Sequence, residues 1–209
     1  MSVLSYFVTA LIAYLLGSIP TGFLAAKSRG IDIRTVGSGN IGATNAFRIL
    51  GKRAGIFVLL VDALKGWIAV SLIPPLVIKI FPAVPIEHLR LAAAICAILG
   101  HNYTCWLKFK GGKGIATTAG VVIALVPLAL VIVLSLWIVL VFLTRYVSVA
   151  SMTAAFALPF ATWFTKQNIG LTAVTGAMGA MAIYKHRKNI QRLRAGTESR
   201  ISFKKETAR

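Results

Sequence analysis

An uncharged stretch in the second half of the chain decides the fold: GIATTAGVVIALVPLALVIVLSLWIVLVFLT, residues 114–144. Its 31 residues include no Lys, Arg, Asp or Glu, whereas a helix needs only about 20 apolar residues to cross a bilayer. The stretch is too long for one comfortable span and too short for two full ones. We therefore predict two short membrane helices here, with a turn near Pro127.

Other apolar runs extend on both sides of this stretch. Residues 1–26, 91–107, 146–165 and 167–184 carry no Lys, Arg, Asp or Glu, and 54–78 is nearly as apolar. Together they predict seven membrane helices, that is, an all-α polytopic membrane protein. The composition agrees, because 57% of the 209 residues are hydrophobic and only 13% are charged, which argues against a soluble enzyme.

The basic residues give the orientation. The chain has 23 Lys+Arg against 5 Asp+Glu, and the basic residues concentrate in three segments: six in 27–53, three in 108–113 and nine from Lys185 onward. Positive charge is retained on the cytoplasmic side, so we expect the N-terminus outside and the C-terminus in the cytoplasm. Basic segments that alternate with apolar runs do not form a nucleic-acid groove, so we expect no nucleic acid partner.

These considerations predict one integral membrane domain over residues 1–209. Its cytoplasmic motif segments are 27–53, 108–117 and 185–198, and we expect 199–209 to be a flexible tail. The chemistry should lie in what the three segments contain besides charge.

The first segment contains GSGNIGATN, Gly37–Asn45, followed by Arg48. Glycines let the backbone approach a ligand closely and turn its N–H groups inward, while the polar side chains and the fixed charge of Arg48 add hydrogen bonds. This mixture suits a phosphate group, although an ordinary glycine-rich connection between spans is the alternative. The candidate binding residues are Ser38, Gly39, Asn40, Gly42, Thr44, Asn45 and Arg48.

The second segment, KFKGGKGIAT, spans Lys108–Thr117. Gly111, Gly112 and Gly114 surround Lys113 at the predicted start of a helix, where unpaired N–H groups and the positive end of the helix dipole favour an anion. It is not a Walker A loop, because that motif needs glycine at 107 and Ser or Thr at 114. The sequence therefore gives no indication of ATP hydrolysis.

The third segment, HRKNIQRLRAGTE, spans His186–Glu198 and is predicted to continue the seventh helix. His186 and Asn189 are three residues apart and so share a helix face. Histidine can take or give a proton near neutral pH. A histidine at the membrane boundary with no catalytic role is the alternative.

Absent motifs narrow the chemistry. The sequence has no G-x-S-x-G element, no His-x4-Asp signature and no Cys/His spacing typical of a metal site. Of the five acids, Asp62 and Glu198 have a suggestive context. Asp62 and Lys65 form an i, i+3 pair inside the second span, for which a structural ion pair and support of a site both remain open.

The three motifs, GSGNIGATN with Arg48, GHNYTCWLKFKGGKGIAT from Gly100 to Thr117, and HRKNIQRLRAGTE, resemble those of the bacterial acyl-phosphate-dependent glycerol-3-phosphate acyltransferases. The resemblance covers nearly the whole chain, although Thr104 stands where proline would be expected. It implies a seven-span protein of the bacterial inner membrane, with its active site facing the cytoplasm. The implied reaction moves a fatty acyl group from acyl phosphate to the 1-hydroxyl of glycerol 3-phosphate, giving lysophosphatidic acid and phosphate, the first step of phospholipid synthesis.

The resemblance also implies residue roles. Ser38, Thr44 and Lys113 should bind the acyl phosphate, and Arg48 the glycerol phosphate. His186 and Asn189 should orient the acceptor hydroxyl, with either His186 or the departing phosphate as the base. Lys113, His186 and Asn189 are thus the expected catalytic residues. The remaining expected substrate-binding residues are Gly111, Gly112, Gly114, Ser148 and Glu198.

The partners implied by the resemblance are acyl phosphate, glycerol 3-phosphate and membrane lipids. We expect no metal or other cofactor, and a monomer. The alternative hypothesis is a transporter of a small phosphorylated anion. The binding site of a transporter should lie near the bilayer midplane, between two related halves of the protein. The motifs are instead predicted at one membrane face, and no halves are visible in the sequence.

Overall fold

The computed structural model describes residues 2–82 and 84–201, in which every regular element is helical. The predicted all-α class is therefore confirmed for this part of the chain. The elements are α1 (Ser2–Ser18), α2 (Thr21–Lys27), α3 (Ala43–Leu50), α4 (Lys52–Ser71), α5 (Ile73–Ile80), α6 (Ile86–Asn102), a 3-10 helix (Cys105–Leu107), α7 (Ile115–Leu125), α8 (Pro127–Thr144), α9 (Val147–Lys166), α10 (Ile169–Lys185) and α11 (Arg187–Arg194).

Within the described part of the chain, four helical segments are long and apolar enough to cross a membrane: Ser2–Lys27, Lys52–Ile80, Pro127–Thr144 and Val147–Lys166. Helices α6 and α10 have 17 residues each, just below the usual length of a full span. Several membrane-crossing segments in one chain make this a multi-pass membrane protein.

Prolines break the first two predicted spans in ways that hydropathy did not indicate. Pro20 separates α1 from α2, and Pro74 and Pro75 follow the break between α4 and α5 at Leu72. Proline lacks the N–H that a helix interior uses, so the ladder is interrupted at each place. The polypeptide nevertheless stays apolar through both breaks.

The stretch 114–144 forms two helices, as predicted, with the break at Val126 next to Pro127. The prediction that both are short is wrong for the second, because α7 has 11 residues but α8 has 18. Pro127 fits the first position of α8, where its missing N–H would have no partner in the helix. No breaker follows until Thr144, so α8 continues to a full span.

The predicted span at 91–107 is shifted in the structure. Helix α6 begins earlier, at Ile86, and ends at Asn102, so the charged residues Glu87 and Arg90 lie inside it. The chain then turns through Tyr103 into the 3-10 helix, where the Thr104 hydroxyl accepts a hydrogen bond from the Trp106 N–H at 3.3 Å. The sequence did not indicate this turn, because the residues after Asn102 are also uncharged and the predicted span therefore continued to residue 107.

By packing, the chain divides into two compact units, residues 1–127 and 128–209. In the first unit α1 packs on α6 and α4 on α7, with glycines at both interfaces. Gly17 lies against the Ala97 backbone, and Gly120 lies against the Ala63 backbone. Small residues of this kind let membrane helices approach closely.

The second unit is built around the packing of α9 on α10, where Gly179 faces the carbonyl of Ala155. The indole N–H of Trp137 in α8 donates to Ser151 Oγ in α9 at 3.1 Å. The predicted flexible tail lies mostly outside the described residues, but Ile201 N–H donates to the Arg145 carbonyl at 2.9 Å. That the whole chain acts as a single domain stays a prediction.

The substitution Gly120→Ala is expected to destabilise the first unit by about 1 to 3 kcal/mol, because its Cβ would overlap the Ala63 carbonyl between α4 and α7. Thermal unfolding of the purified protein measures this. Gly176→Ala is the matched control, since its Cβ would meet Pro159 Cβ at an ordinary 3.8 Å. An unfolding temperature for Gly120→Ala equal to that of Gly176→Ala would contradict the close packing of α4 on α7.

Candidate active site

The side chain of Asn45 organises the first motif. Its amide nitrogen donates to the carbonyls of Ile33, Val36 and Asn40 at 3.2, 3.1 and 2.9 Å, and its oxygen accepts from the Ser38 N–H at 2.9 Å. The residue is buried at the start of α3. Asn45, expected to bind substrate, is thus placed inside the loop, where it holds the backbone in shape.

The remaining residues of the first motif surround this support. Gly37 and Gly39 have φ values of 61° and 69°, in the region that favours glycine, and a Cβ at Gly37 would overlap Asn45 Oδ1. Ser38 and Thr44 are half-buried, and Arg48 is exposed on α3. This segment therefore holds the hydroxyls of Ser38 and Thr44, the guanidinium of Arg48 and the backbone N–H groups of the loop on a fixed backbone. Asn40, Gly39 and Gly42 lie in the same turn before α3.

The second motif is fastened to the end of α6. The N–H of Gly112 donates to the His101 carbonyl at 3.0 Å, and the N–H of Gly111 donates to the Asn102 carbonyl at 3.2 Å. Gly114 has φ 77°, and a Cβ there would lie 2.8 Å from Asn102 Oδ1. Lys113, half-buried, is therefore held in a tight turn directly before α7.

Thr104 stands where the resemblance leads us to expect proline, and its side chain makes contacts that proline could not. Its hydroxyl donates to the Ser18 carbonyl at the end of α1 and caps the 3-10 helix. The side chain thus joins α1 to the start of the second motif.

The first and second motifs lie close together in the first unit. Leu107, just before the second motif, shares a hydrophobic cluster with Ile33 and Ile41 of the first loop and with Val58 of α4. The Gly22 Cα also faces the Ile41 carbonyl closely. The structure therefore brings together two of the three predicted segments within this unit.

The third motif is not one continuous helix, contrary to the prediction. The chain turns at His186, which ends α10 and precedes α11 with φ −91° and ψ 6°. His186 is buried, and its Nδ1 lies 2.7 Å from the carbonyl of Ala182. A carbonyl can only accept, so Nδ1 carries the proton and Nε2 carries the lone pair in the neutral ring.

Glu198 joins the parts of the third motif. Its carboxylate accepts hydrogen bonds from Ser148 Oγ, Asn189 Nδ2 and Arg192 Nε, each at 2.7 Å, and its side chain is only 5% exposed. Burial alone would raise the pKa of Glu198, but these hydrogen bonds and the charge of Arg192 hold the pKa below its ordinary value of 4.5. Two residues expected to meet substrate, Ser148 and Asn189, thus both bond to a third, Glu198.

Sequence reasoning missed three residues that shape these segments. Arg192 stands three residues after Asn189, a spacing that could have indicated their shared partner. His101 and Asn102 belong to the quoted second motif, but nothing in their spacing showed that their carbonyls hold the glycine turn. Such a role depends on backbone geometry, which side-chain patterns do not report.

Replacing Glu198 by glutamine is expected to destabilise the protein by about 1.5 to 3 kcal/mol, because a charge-assisted bond to Arg192 and a buried acceptor are lost. The folded pKa is lowered, so the carboxylate stabilises the fold at neutral pH. This contribution is lost as the pH falls from 4.5 through the lowered pKa. Unfolding temperatures measured from pH 7 downward should show this decline in the parent and not in Glu198→Gln.

The control for this prediction is Asp32→Asn. The pKa of Asp32 is lowered to about 2 by hydrogen bonds from the side chain and backbone of Arg34, but this pair is at the surface. Asparagine can keep the bond to the Arg34 N–H, so no measurable change in unfolding temperature at pH 7 is expected. A Glu198→Gln variant as stable as this control would contradict the conclusion that the Glu198 carboxylate stabilises the fold through its bonds to Ser148, Asn189 and Arg192.

Comparison with known proteins identifies the chain's relatives. The family model described as "Glycerol-3-phosphate acyltransferase" matches residues 7–196. The glycerol-3-phosphate acyltransferase of Geotalea daltonii is 48% identical over 193 residues, covering 90% of this chain and 93% of the relative. The one of Fusobacterium nucleatum is 40% identical over 201 residues, covering 96% of this chain and all of the relative.

Two solved structures are also similar. Both are crystal structures of PlsY (YgiH), an integral membrane glycerol 3-phosphate acyltransferase, in its glycerol 3-phosphate form and its lysophosphatidic acid form. The TM-scores are 0.85 and 0.82, each at 37% identity, with 95% of this chain and 96% of the other covered. The chain is therefore a member of the glycerol-3-phosphate acyltransferase family and an integral membrane enzyme.

Proposed function

We propose that this enzyme transfers a fatty acyl group from acyl phosphate to the 1-hydroxyl of glycerol 3-phosphate, giving lysophosphatidic acid and phosphate. The observation that carries the donor assignment is the glycine turn with Lys113 directly before α7. An ammonium group beside the N-terminus of a helix suits a phosphate. The glycerol 3-phosphate form of the related crystal structure supports the acceptor.

The reaction needs no covalent intermediate, because an acyl phosphate is already activated. The acceptor oxygen forms a bond to the acyl carbon, the bond from that carbon to the phosphate oxygen breaks, and the hydroxyl proton passes to a base. Negative charge grows on the departing phosphate, so a fixed cation and backbone N–H groups stabilise the transition state most. We assign Lys113, with Ser38 and Thr44, to that phosphate.

We assign the acceptor to Arg48, His186 and Asn189. The guanidinium of Arg48 suits the phosphate of glycerol 3-phosphate. The lone pair on His186 Nε2 suits acceptance of a hydrogen bond or a proton from the hydroxyl. The departing phosphate is the alternative to His186 as the base that takes the proton of the hydroxyl. Asn189 is oriented by its hydrogen bond to Glu198.

The topology proposed with this function is seven spans in the bacterial inner membrane, with the N-terminus outside. The three basic segments and the active site then face the cytoplasm, where soluble glycerol 3-phosphate is available. Acyl phosphate keeps its chain in the bilayer. We propose that the enzyme is a monomer and uses no cofactor. Measurement of the mass of the protein in detergent would test the oligomeric state.

Purified protein in detergent or lipid mesophase tests the proposal. Phosphate release that requires both acyl phosphate and glycerol 3-phosphate, with equal formation of lysophosphatidic acid, is the expected result. Acyl transfer from acyl-CoA or acyl carrier protein, with none from acyl phosphate, would contradict the donor assignment. Uptake of glycerol 3-phosphate into vesicles without acylation would support a transporter instead.

A further inference from the structure

A buried polar cluster lies in the first unit, beneath the second motif. Asp62 of α4, 2% exposed in its side chain, accepts a hydrogen bond from Thr21 Oγ1 at 3.0 Å and pairs with Lys65 Nζ at 2.8 Å. Lys65 also donates to the Ile19 carbonyl at 2.9 Å, at the break between α1 and α2. On another side, Asp62 Oδ1 lies 3.7 Å from Nδ1 of the buried His101. The cluster thus links α2, α4 and α6.

His101 connects this cluster to the glycine turn. Its carbonyl accepts the Gly112 N–H at 3.0 Å, and its ring lies so close that a Cβ at Gly112 would overlap Nε2. The next residue, Asn102, accepts the Gly111 N–H at 3.2 Å. The Nε2 edge of the imidazole therefore lies against the turn that carries Lys113, while Nδ1 faces Asp62.

Ionisable groups inside a membrane protein are costly and usually serve function. A structural ion pair would be complete with Asp62, Lys65 and their partners Thr21 and Ile19. That pair does not explain why the ring of His101 is packed between the carboxylate and a glycine that admits no side chain. The position of the His101 ring therefore points to a role in the turn that contains Gly111 and Gly112.

We propose that His101, located by Asp62, is a positioning residue that fixes the Gly111–Lys113 turn. The ring and its backbone carbonyl set the place of the turn, and the turn sets the place of the Lys113 ammonium. The inference rests on the proposed function in one respect, that Lys113 binds the phosphate of the donor. It assigns to Asp62 the support of a site in addition to its ion pair.

The kinetic test uses His101→Ala. We do not choose Asp62→Asn, because it would leave the buried Lys65 ammonium without its carboxylate partner. Loss of the ring should let the turn shift, and kcat/KM for acyl phosphate should fall by about 10- to 100-fold, since small misplacements of a catalytic group are costly. His88→Ala is the matched control. It removes an exposed histidine at the other end of α6, bonded to Tyr6 at 3.2 Å, and should retain parent activity.

A double-mutant cycle separates positioning from general packing. If His101 acts through Lys113, adding His101→Ala to Lys113→Ala should cost less than about threefold more, because a missing ammonium cannot be misplaced. The same full loss in both backgrounds would mean that His101 acts independently of Lys113, and would overturn the inference. An activity of His101→Ala equal to that of His88→Ala would also overturn it.

Hydrogen–deuterium exchange gives a readout that does not depend on catalysis. The amides of Gly111 and Gly112 should exchange at least tenfold faster in His101→Ala than in the parent, while peptides from α4 stay protected. Unchanged exchange in the turn, or equal loss of protection in α4, would overturn the inference. A parent without turnover of acyl phosphate and glycerol 3-phosphate would overturn the proposed function instead, and the exchange experiment would still decide the role of His101.

Discussion

Lys113→Ala is expected to lower kcat by about 10²- to 10³-fold, the usual cost of removing one electrostatic group that stabilises a transition state. The turn at Gly111–Gly114 holds Lys113 directly before α7. Its ammonium is assigned to the phosphate oxygens on which charge grows as the acyl bond breaks. Backbone N–H groups remain in the variant, but a methyl group cannot replace a full positive charge. Initial rates at saturating levels of both substrates measure the effect.

Lys110→Ala is the matched control for this variant. Lys110 is an exposed residue of the same motif, three positions earlier, and has no assigned contact with substrate. It should retain activity close to the parent's, while Lys113→Arg should be intermediate, because the guanidinium is larger and planar. Activity of folded Lys113→Ala within a few-fold of the Lys110→Ala control would remove Lys113 from the phosphate site.

The sequence was sufficient for features that depend on local composition. Uncharged runs long enough to span a bilayer identified a multi-pass helical membrane protein. Pro127 marked the break between α7 and α8, because proline favours the first helical position and disfavours the interior. Glycines around Lys113 indicated a turn before a helix, and the turn is present. Each signal lies within a few residues of the feature that it predicts.

Features made by distant residues could not be predicted in this way. Glu198 bonds Ser148, which is 50 positions away, and His101 lies next to Asp62, 39 positions earlier. Ser148 and Glu198 were expected to contact substrate, whereas His101 was not among the candidates. The structure shows that polar residues of a motif also satisfy one another when they are buried, because an unpaired polar group is costly there.

Asn45 is another polar residue that was expected to bind substrate and instead bonds to the protein, in this case within a single loop. Its sequence context suggested a ligand for phosphate, yet its side chain bonds four backbone groups of the loop. A loop rich in glycine has little intrinsic preference for one conformation, and the buried amide of Asn45 holds the backbone of this loop in one. Ser38, Thr44 and Arg48 remain the residues of this motif assigned to the substrates.

Arg48→Ala is expected to raise the KM for glycerol 3-phosphate by roughly 10- to 150-fold. Removing a charge-assisted hydrogen bond costs about 1.5 to 3 kcal/mol, which gives this range if the contact is equal in the ground and transition states. The KM for acyl phosphate should change far less, because the donor is assigned to Lys113. Steady-state kinetics with each substrate varied at a fixed level of the other measure the two constants separately.

Arg53→Ala controls for the general loss of positive charge, since Arg53 is an exposed arginine in the first turn of α4, five positions from Arg48. Both variants lose one charge from the same basic segment, so long-range attraction of anionic substrates falls equally in both. Only Arg48→Ala should then lose acceptor affinity selectively, and it should hydrolyse acyl phosphate slowly if water replaces the missing alcohol. A raised donor KM with an unchanged acceptor KM would place Arg48 on the other substrate, and equal losses for both would make the first loop a structural element.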